Sequence, residues 1–109
     1  MRQTPLMRAK ISTQESTAQA SGRWIDRRNA LIRLLDDDLH PDTSDAERLA
    51  YVGKALWNYL PRWLKADRYR LDPPSHYGRK ETLLFQIFRE SDGKVPRSDK
   101  QLRRVLLSR

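Results

Sequence analysis

Cysteine is absent from this chain, glycine occurs only four times in 109 residues, and the sequence has no long apolar run. The absence of cysteine excludes disulfides, thiolate metal sites and thiol nucleophiles. No apolar run approaches the roughly 20 residues needed to span a bilayer, and the N-terminus lacks the apolar segment of a secretory signal. We therefore expect a cytoplasmic protein that has no membrane partner.

Catalytic signatures are equally scarce. The two histidines, His40 and His76, lie far apart in the sequence and have no cysteine to complete a zinc site. No glycine-rich phosphate loop, serine nucleophile elbow or paired-carboxylate motif is recognisable. The sequence predicts a protein that is not an enzyme and that needs no cofactor or metal.

The segment 1–22 is polar and rich in Ser, Thr, Gln and Ala, and its Arg2, Arg8 and Lys10 are opposed by one acid, Glu15. A basic, hydroxyl-rich segment of this kind is faintly similar to an organellar transit peptide. We favour a polar, partly extended N-terminal arm, because the segment has few apolar residues to bury.

Two amphipathic helices are predicted before the middle of the chain. The first has Ser21 as its N-cap and ends before Pro41, since the residue preceding a proline avoids the α conformation. The second begins at Ser44, which forms a capping box with Glu47, and Pro61 either kinks this helix or opens a new one. Their predicted inward-facing residues are Trp24, Ile25, Leu31, Ile32, Leu35, Leu39, Leu49, Val52, Leu56 and Leu60.

Two further helices are predicted in the C-terminal half. A proline-containing loop at 72–78 precedes a helix over about 79–90, which stops at Ser91-Asp92-Gly93. The last helix starts after Ser98, which forms a second capping box with Gln101. No stretch alternates as a strand does. The predicted fold class is all-α, a compact bundle of four or five short helices over residues 23–109. The predicted inward-facing residues here are Leu83, Leu84, Ile87, Phe88, Leu102, Val105 and Leu106.

The positive charge is confined to one half of the chain. The formal net charge is +8, and the 56 residues after Gly53 contain 14 Lys and Arg against six Asp and Glu. The first 53 residues are therefore neutral overall. A cationic half with interleaved aromatic residues suits a polyanion, because Lys and Arg displace phosphate counterions and flat rings stack on bases.

This basic and aromatic half predicts a nucleic-acid site. We expect Trp57 and Trp63 to pack in the core and Tyr69 and Tyr77, near the proline-containing loop, to lie at the surface. The competing interpretation is an ordinary solvated face. The predicted nucleic-acid-binding residues are Arg62, Lys65, Arg68, Tyr69, Arg70, Tyr77, Arg79, Lys80, Arg97, Lys100, Arg103 and Arg104.

The last two helices also allow a helix-turn-helix interpretation. Ser98, Gln101 and Arg104 would then lie on the exposed early turns of a recognition helix. Two features count against it: the connector over 91–97 is longer than the usual turn of about 3–4 residues, and Asp99 places an acid where phosphates would approach.

An acidic corner is predicted between the first two helices. Asp45 and Glu47 suit the N-terminus of a helix, whereas the triplet Asp36–Asp38 lies unfavourably at a helix C-terminus. A cation site that also uses His40 and Asp42 would lack the glycine turn of a calcium loop. A docking surface for a basic neighbour is a second interpretation, and we favour a solvated turn.

Three functions remain open at this stage. The favoured one is a non-catalytic protein that grips the phosphate backbone of DNA or RNA, with a steep salt dependence. The second is a small helical subunit of a larger nucleoprotein assembly, a class that the small subunits of CRISPR effector complexes illustrate, with protein contacts or self-association. The third is an inhibitor whose basic face binds an acidic protein surface.

Overall fold

A computed structural model describes residues 23–107, which form four α-helices and one 3-10 helix without any strand. The helices are α1 (Arg23–Asp37), α2 (Asp45–Lys65), α3 (Arg79–Ser91) and α4 (Asp99–Leu107), and the 3-10 helix is Asp67–Tyr69. The predicted all-α bundle is confirmed. The predicted arm at 1–22 and the Ser21 cap lie outside the described residues.

The start of α2 follows the predicted capping box. The Ser44 hydroxyl accepts a hydrogen bond from the Glu47 backbone N–H at 3.2 Å, and the Glu47 carboxylate accepts one from the Ser44 backbone N–H at 3.2 Å. Pro61 does not open a new helix, because α2 continues through it to Lys65. The helix α1 ends at Asp37, earlier than predicted, where the N–H groups of Asp38 and Leu39 bond three residues back and tighten the chain into a turn.

Both ends of the connector between α3 and α4 follow the predicted signals. Asp92 and Gly93 adopt positive φ angles of 52° and 79°, and the Gly93 N–H donates to the Phe88 carbonyl at 3.0 Å. This is the left-handed geometry that closes a helix C-terminus. At the start of α4, the Ser98 hydroxyl accepts from the Gln101 N–H at 3.2 Å, which is one half of the predicted capping box. The other half does not form, because the Gln101 Oε1 accepts from the Arg97 N–H rather than from the Ser98 N–H.

The core lies where the four helices meet. The helix α1 packs mainly on α3, whereas α4 packs on α1 and α2. Tyr59 and Trp63 of α2 contact the Phe88 ring at centroid distances of 4.9 and 5.9 Å. Ile25 was predicted to face inward but is exposed. The predicted inward-facing residues that are buried are Ile32, Leu35, Leu49, Val52, Leu56, Leu83, Leu84, Ile87, Phe88, Leu102, Val105 and Leu106.

The acidic corner is not a solvated turn throughout, because the prediction is wrong for Asp36, its first residue, whereas Asp37 and Asp38 are exposed. Asp36 is 3% exposed, and its carboxylate binds Arg48 through two hydrogen bonds of 2.5 and 2.8 Å. Asp38 pairs with Arg79 at 3.0 Å. Arg48 of α2 neutralises the Asp36 carboxylate, whose negative charge would otherwise be unfavourable at the C-terminal end of α1. The hydrogen bond to Asp36 raises the pKa of Arg48.

Candidate nucleic-acid interface

One face of α2 carries a regular row of exposed polar residues, three of them positively charged. The row consists of residues that follow one another at intervals of four, four and three positions: Lys54, Asn58, Arg62 and Lys65. Because an α-helix repeats every 3.6 residues, these spacings place all four side chains on one face. We call this set the α2 basic row. Within residues 23–107, none of its three cations forms an ion pair with a carboxylate.

Lys80, in the first turn of α3, adds a fourth cation across a groove between α2 and α3. Its Nζ lies 5.0 Å from the centre of the Tyr51 ring. The groove has a volume of about 340 Å³, and its lining includes Lys54, Arg62 and Lys80 together with one acid, Glu81. Three cations therefore converge on one concave surface against a single carboxylate, which gives it a positive potential.

A buried carboxylate organises the end of this surface. Asp67 is 1% exposed and accepts hydrogen bonds from the hydroxyls of Tyr59 at 2.5 Å and Tyr77 at 2.6 Å, and from Arg70 Nε at 3.2 Å. Burial alone would raise the pKa of Asp67, but the hydrogen bonds outweigh burial and lower it. Burial and the bond to Asp67 raise the pKa values of Tyr59 and Tyr77.

This network holds Arg62 in place over two rings. Its guanidinium carbon lies 5.8 Å from the centre of the Tyr59 ring and 5.6 Å from the centre of the Tyr77 ring. Both rings are anchored through their hydroxyls on Asp67. Arg62 also interacts with the Tyr77 hydroxyl, and this interaction raises the pKa of Arg62. Arg62 is thus the most firmly positioned cation of the α2 basic row.

The two tyrosines predicted to be exposed differ from each other. Tyr69 is 71% exposed, and the guanidinium of Arg68 lies 4.9 Å from the centre of its ring. Tyr77 is half-buried, because its hydroxyl donates to Asp67. The prediction is therefore confirmed for Tyr69 and wrong for Tyr77. Packing is confirmed for Trp63, which is buried, and Trp57 is half-buried with its Nε1 donating to the Pro96 carbonyl at 2.8 Å.

Two of the predicted nucleic-acid-binding residues form ion pairs with carboxylates of the chain itself. Arg70 pairs with Asp67 at 3.2 Å, and Arg79 pairs with Asp38 at 3.0 Å. The second pair could not be read from the sequence, since Asp38 lies 41 positions from Arg79. These two arginines are the weakest members of the predicted set, because part of their charge is already neutralised.

The four predicted residues at the C-terminus do not join the α2 basic row. Arg97 and Arg104 line a second cleft, which lies between α1 and α4 and shares no lining residue with the groove beside α2. Lys100 and Arg103 are exposed on α4 and form no ion pair with a carboxylate among the described residues. The predicted set therefore divides into two positive surfaces.

The helix-turn-helix interpretation does not fit this geometry. In that motif the two helices pack against each other, whereas the backbones of α3 and α4 do not approach one another and α4 packs on α1 and α2. The Ser98 hydroxyl accepts from the Gln101 N–H, and the Gln101 carbonyl Oε1 accepts from the Arg97 N–H at 2.8 Å. Two of the three side chains predicted to read bases, Ser98 and Gln101, therefore hold the start of α4 instead.

Sequence reasoning missed three basic residues that belong to these surfaces. Lys54 was omitted from the predicted set, although its spacing from Arg62 and Lys65 was a usable helical signal. Arg28 and Lys94 line the second cleft with Arg97 and Arg104. They come from α1 and from the α3–α4 connector, so no spacing in the sequence indicates that they meet.

Comparison of the chain with protein-family models, curated proteins and solved structures gives no match. Among residues 23–107, none of the helices combines the length and apolar character needed to cross a bilayer. Over the same range, no three His, Asp or Glu residues are grouped so that they could hold a metal ion.

Proposed function

We propose that the protein binds nucleic acid through the phosphate backbone, using the α2 basic row and Lys80. The observation that carries the proposal is the regular spacing of Lys54, Arg62 and Lys65 on one exposed face, with no carboxylate partner within residues 23–107. Cations that neutralise phosphates release condensed counterions, and this release drives binding that does not depend on base sequence. The proposed activity is binding without catalysis.

The exposed ring of Tyr69 supports the binding of single-stranded nucleic acid. This ring follows the C-terminal end of α2 by four residues and is backed by the guanidinium of Arg68. Stacking of a base on an exposed aromatic ring is worth about 1–3 kcal/mol and tolerates any base. A strand that follows the α2 basic row past the end of this helix would therefore meet a stacking surface in the 3-10 helix that comes next.

A charge-matched pair of variants tests the proposed surface. Lys54→Gln/Lys65→Gln removes two charges from the α2 basic row, whereas Lys100→Gln/Arg103→Gln removes two exposed charges from α4. Affinity for a fluorescent single-stranded oligonucleotide and for a duplex is measured as a function of salt. We expect the first variant to bind roughly tenfold more weakly. Its slope of log affinity against log salt should be shallower by about 1.8 on duplex and 1.4 on single strands.

The outcomes separate a specific surface from general charge. Equal losses in both variants would mean that net charge alone drives binding, and an unchanged affinity in Lys54→Gln/Lys65→Gln would refute the α2 basic row. Competition with poly-glutamate addresses the alternative of an acidic protein partner. If poly-glutamate displaced the oligonucleotide at equal charge concentration, the preference for nucleic acid would be lost.

A further inference from the structure

A second positive cleft lies between α1, the α3–α4 connector and α4. It has a volume of about 550 Å³, and four cations line it: Arg28, Lys94, Arg97 and Arg104. Its other polar side chains are the amides of Asn29 and Gln101, and no Asp or Glu lines it. Within residues 23–107, none of the four cations forms an ion pair with a carboxylate.

The walls of this cleft are fixed by hydrogen bonds from three parts of the fold. Arg28 Nη1 donates to the Lys94 carbonyl at 2.8 Å, which ties α1 to the connector. Trp57 Nε1 donates to the Pro96 carbonyl at 2.8 Å, which ties α2 to the same connector. Val95 and Pro96 are buried, so the chain between Lys94 and Arg97 is held from below. The cleft is therefore preformed, which lowers the entropic cost of binding.

Two of the four cations, Arg28 and Lys94, are held on one aromatic ring. The Trp24 ring receives both Arg28, at 5.6 Å from its centre, and Lys94 Nζ, at 5.8 Å. Partial burial lowers the pKa of Arg28, since desolvation disfavours its charged form. Asn29 Oδ1 accepts from Arg28 Nε and Nη2 and orients the guanidinium. The repulsion between Arg28 and Lys94 is reduced when an anion binds beside them.

We propose that this cleft binds a phosphate monoester group, carried either by a small phosphorylated molecule or by the end of a nucleic acid. Arginine forks are suited to two parallel hydrogen bonds with phosphate oxygens, and Arg97 and Arg104 supply two of them. Gln101 accepts through its Oε1 from the Arg97 N–H, so its amide N–H₂ is left as a donor. The inference does not depend on the α2 basic row, with which the cleft shares no residue.

A titration with inorganic phosphate tests the site on the full chain. Phosphate is compared with sodium chloride at equal pH and ionic strength, by calorimetry and by the melting temperature. The variant Arg97→Gln/Arg104→Gln removes two cations from the cleft. The matched control is Lys100→Gln/Arg103→Gln, which removes two exposed charges from α4 that line neither the cleft nor the groove beside α2. For the parent, phosphate at ten times its Kd should raise the melting temperature by about 5 °C or more above the chloride value.

The two variants should respond differently. We expect Arg97→Gln/Arg104→Gln to bind phosphate at least tenfold more weakly and the control to bind it as the parent does. The single variant Lys94→Gln, at an exposed position, repeats the test should the double variant melt before the titration begins. The proposal is wrong if the cleft variants titrate like the parent, or if both double variants lose the same affinity, because phosphate would then act on net charge alone.

The source of the phosphate is identified with two oligonucleotides of one sequence, one with a 5′-phosphate and one with a 5′-hydroxyl. A preference for the phosphorylated end that Arg97→Gln/Arg104→Gln removes would assign the cleft to nucleic-acid ends. Equal binding of the two oligonucleotides, with phosphate binding retained, would assign it to a small phosphorylated molecule. Loss of oligonucleotide binding in Lys54→Gln/Lys65→Gln alone would leave this site standing, so the two proposals fail separately.

Discussion

At the scale of single residues, Asp67 has the greatest structural effect of the acids near the proposed interface. It is buried and bound to Tyr59, Tyr77 and Arg70, which come from three separate segments of the chain. A buried carboxylate is tolerated when its oxygens accept several hydrogen bonds, and these bonds stabilise its charged form. The contacts hold the segment after α2 against α2 itself, and so they position the rings beneath Arg62.

We expect Asp67→Asn to lower the free energy of unfolding by about 2–3 kcal/mol at pH 7, because charged hydrogen bonds are replaced by weaker ones at a buried site. The pKa of Asp67 is lower in the folded state than the unfolded value of about 3.9. Its stabilising effect is therefore present above about pH 4 and is lost as the pH falls through the folded pKa. Urea unfolding from pH 7 to pH 3 measures this change.

The control is Asp72→Asn, which removes one negative charge from an exposed residue. The gap between the parent and Asp67→Asn should narrow below about pH 4, because a protonated carboxyl resembles the amide. A gap that stays constant down to pH 3, or an equal loss in Asp72→Asn, would show that the Asp67 charge does not stabilise the fold.

Residue types predicted this surface only in part. Tyr69 and Tyr77 have the same side chain and flank the same loop, yet Tyr69 is exposed and Tyr77 is bound to Asp67. The difference depends on where Asp67 lies after α2 ends, and helical periodicity carries no information on that irregular segment. Asp36 is a similar case, because its burial requires Arg48 of the next helix.

At the scale of elements, α2 connects the proposed interface to the rest of the fold. Its basic row faces outward, and another face contacts α4 closely at Gly53. A Cβ atom placed on Gly53 would lie 3.0 Å from the rim of the Trp57 ring and 3.3 Å from a Leu102 methyl group. Trp57 has little freedom to move aside, because its Nε1 is bonded to the Pro96 carbonyl. Glycine at this position therefore allows α4 to approach α2.

We expect Gly53→Ala to lower the free energy of unfolding by about 1–2 kcal/mol. The alanine gains up to about 1 kcal/mol of helix propensity, but crowding in a packed interior typically costs about 1–3 kcal/mol. The double-mutant cycle with Trp57→Phe provides the control. In the Trp57→Phe background the smaller ring leaves space, and Gly53→Ala should become neutral or stabilising in thermal and urea unfolding. Destabilisation of the same size in both backgrounds would rule out the contact with Trp57 as its cause.

The elements themselves were the most predictable part of this protein. The starts of α2 and α4 and the end of α3 follow from local chemistry, namely two serine caps and a positive-φ pair at Asp92 and Gly93. Pro61 was less informative, because its missing N–H weakens a helix but does not decide whether tertiary packing carries the helix through it. The burial of Trp63, two residues before the end of α2, accompanies that continuation.

At the scale of the whole molecule, the position of the net charge along the sequence was predictable. Which cations gather in a cleft and which form ion pairs was not. The sequence places the full +8 after Gly53. In the fold, Arg28 of the neutral half joins Lys94, Arg97 and Arg104 in the second cleft, while Arg70 and Arg79 are drawn into ion pairs. The meeting of Arg28 with the cations of α4 depends on the packing of α1 against α4, which is not encoded in the spacing of charges along either helix.

The division of cations into paired and unpaired groups predicts how salt affects stability. Lysines of the α2 basic row without carboxylate partners repel their neighbours, so Lys54→Gln should raise the melting temperature slightly in 20 mM NaCl. Arg79→Gln should lower it, because the Arg79–Asp38 pair is lost, with an effect of up to about 1 kcal/mol for an exposed pair. Both differences should shrink in 300 mM NaCl, where the Debye length falls to about 6 Å. Thermal melts of the two variants and the parent at both salt concentrations measure this. A lower melting temperature for Lys54→Gln at low salt would mean that Lys54 stabilises the fold, and its proposed role as a cation held ready for phosphate would lose its physical basis.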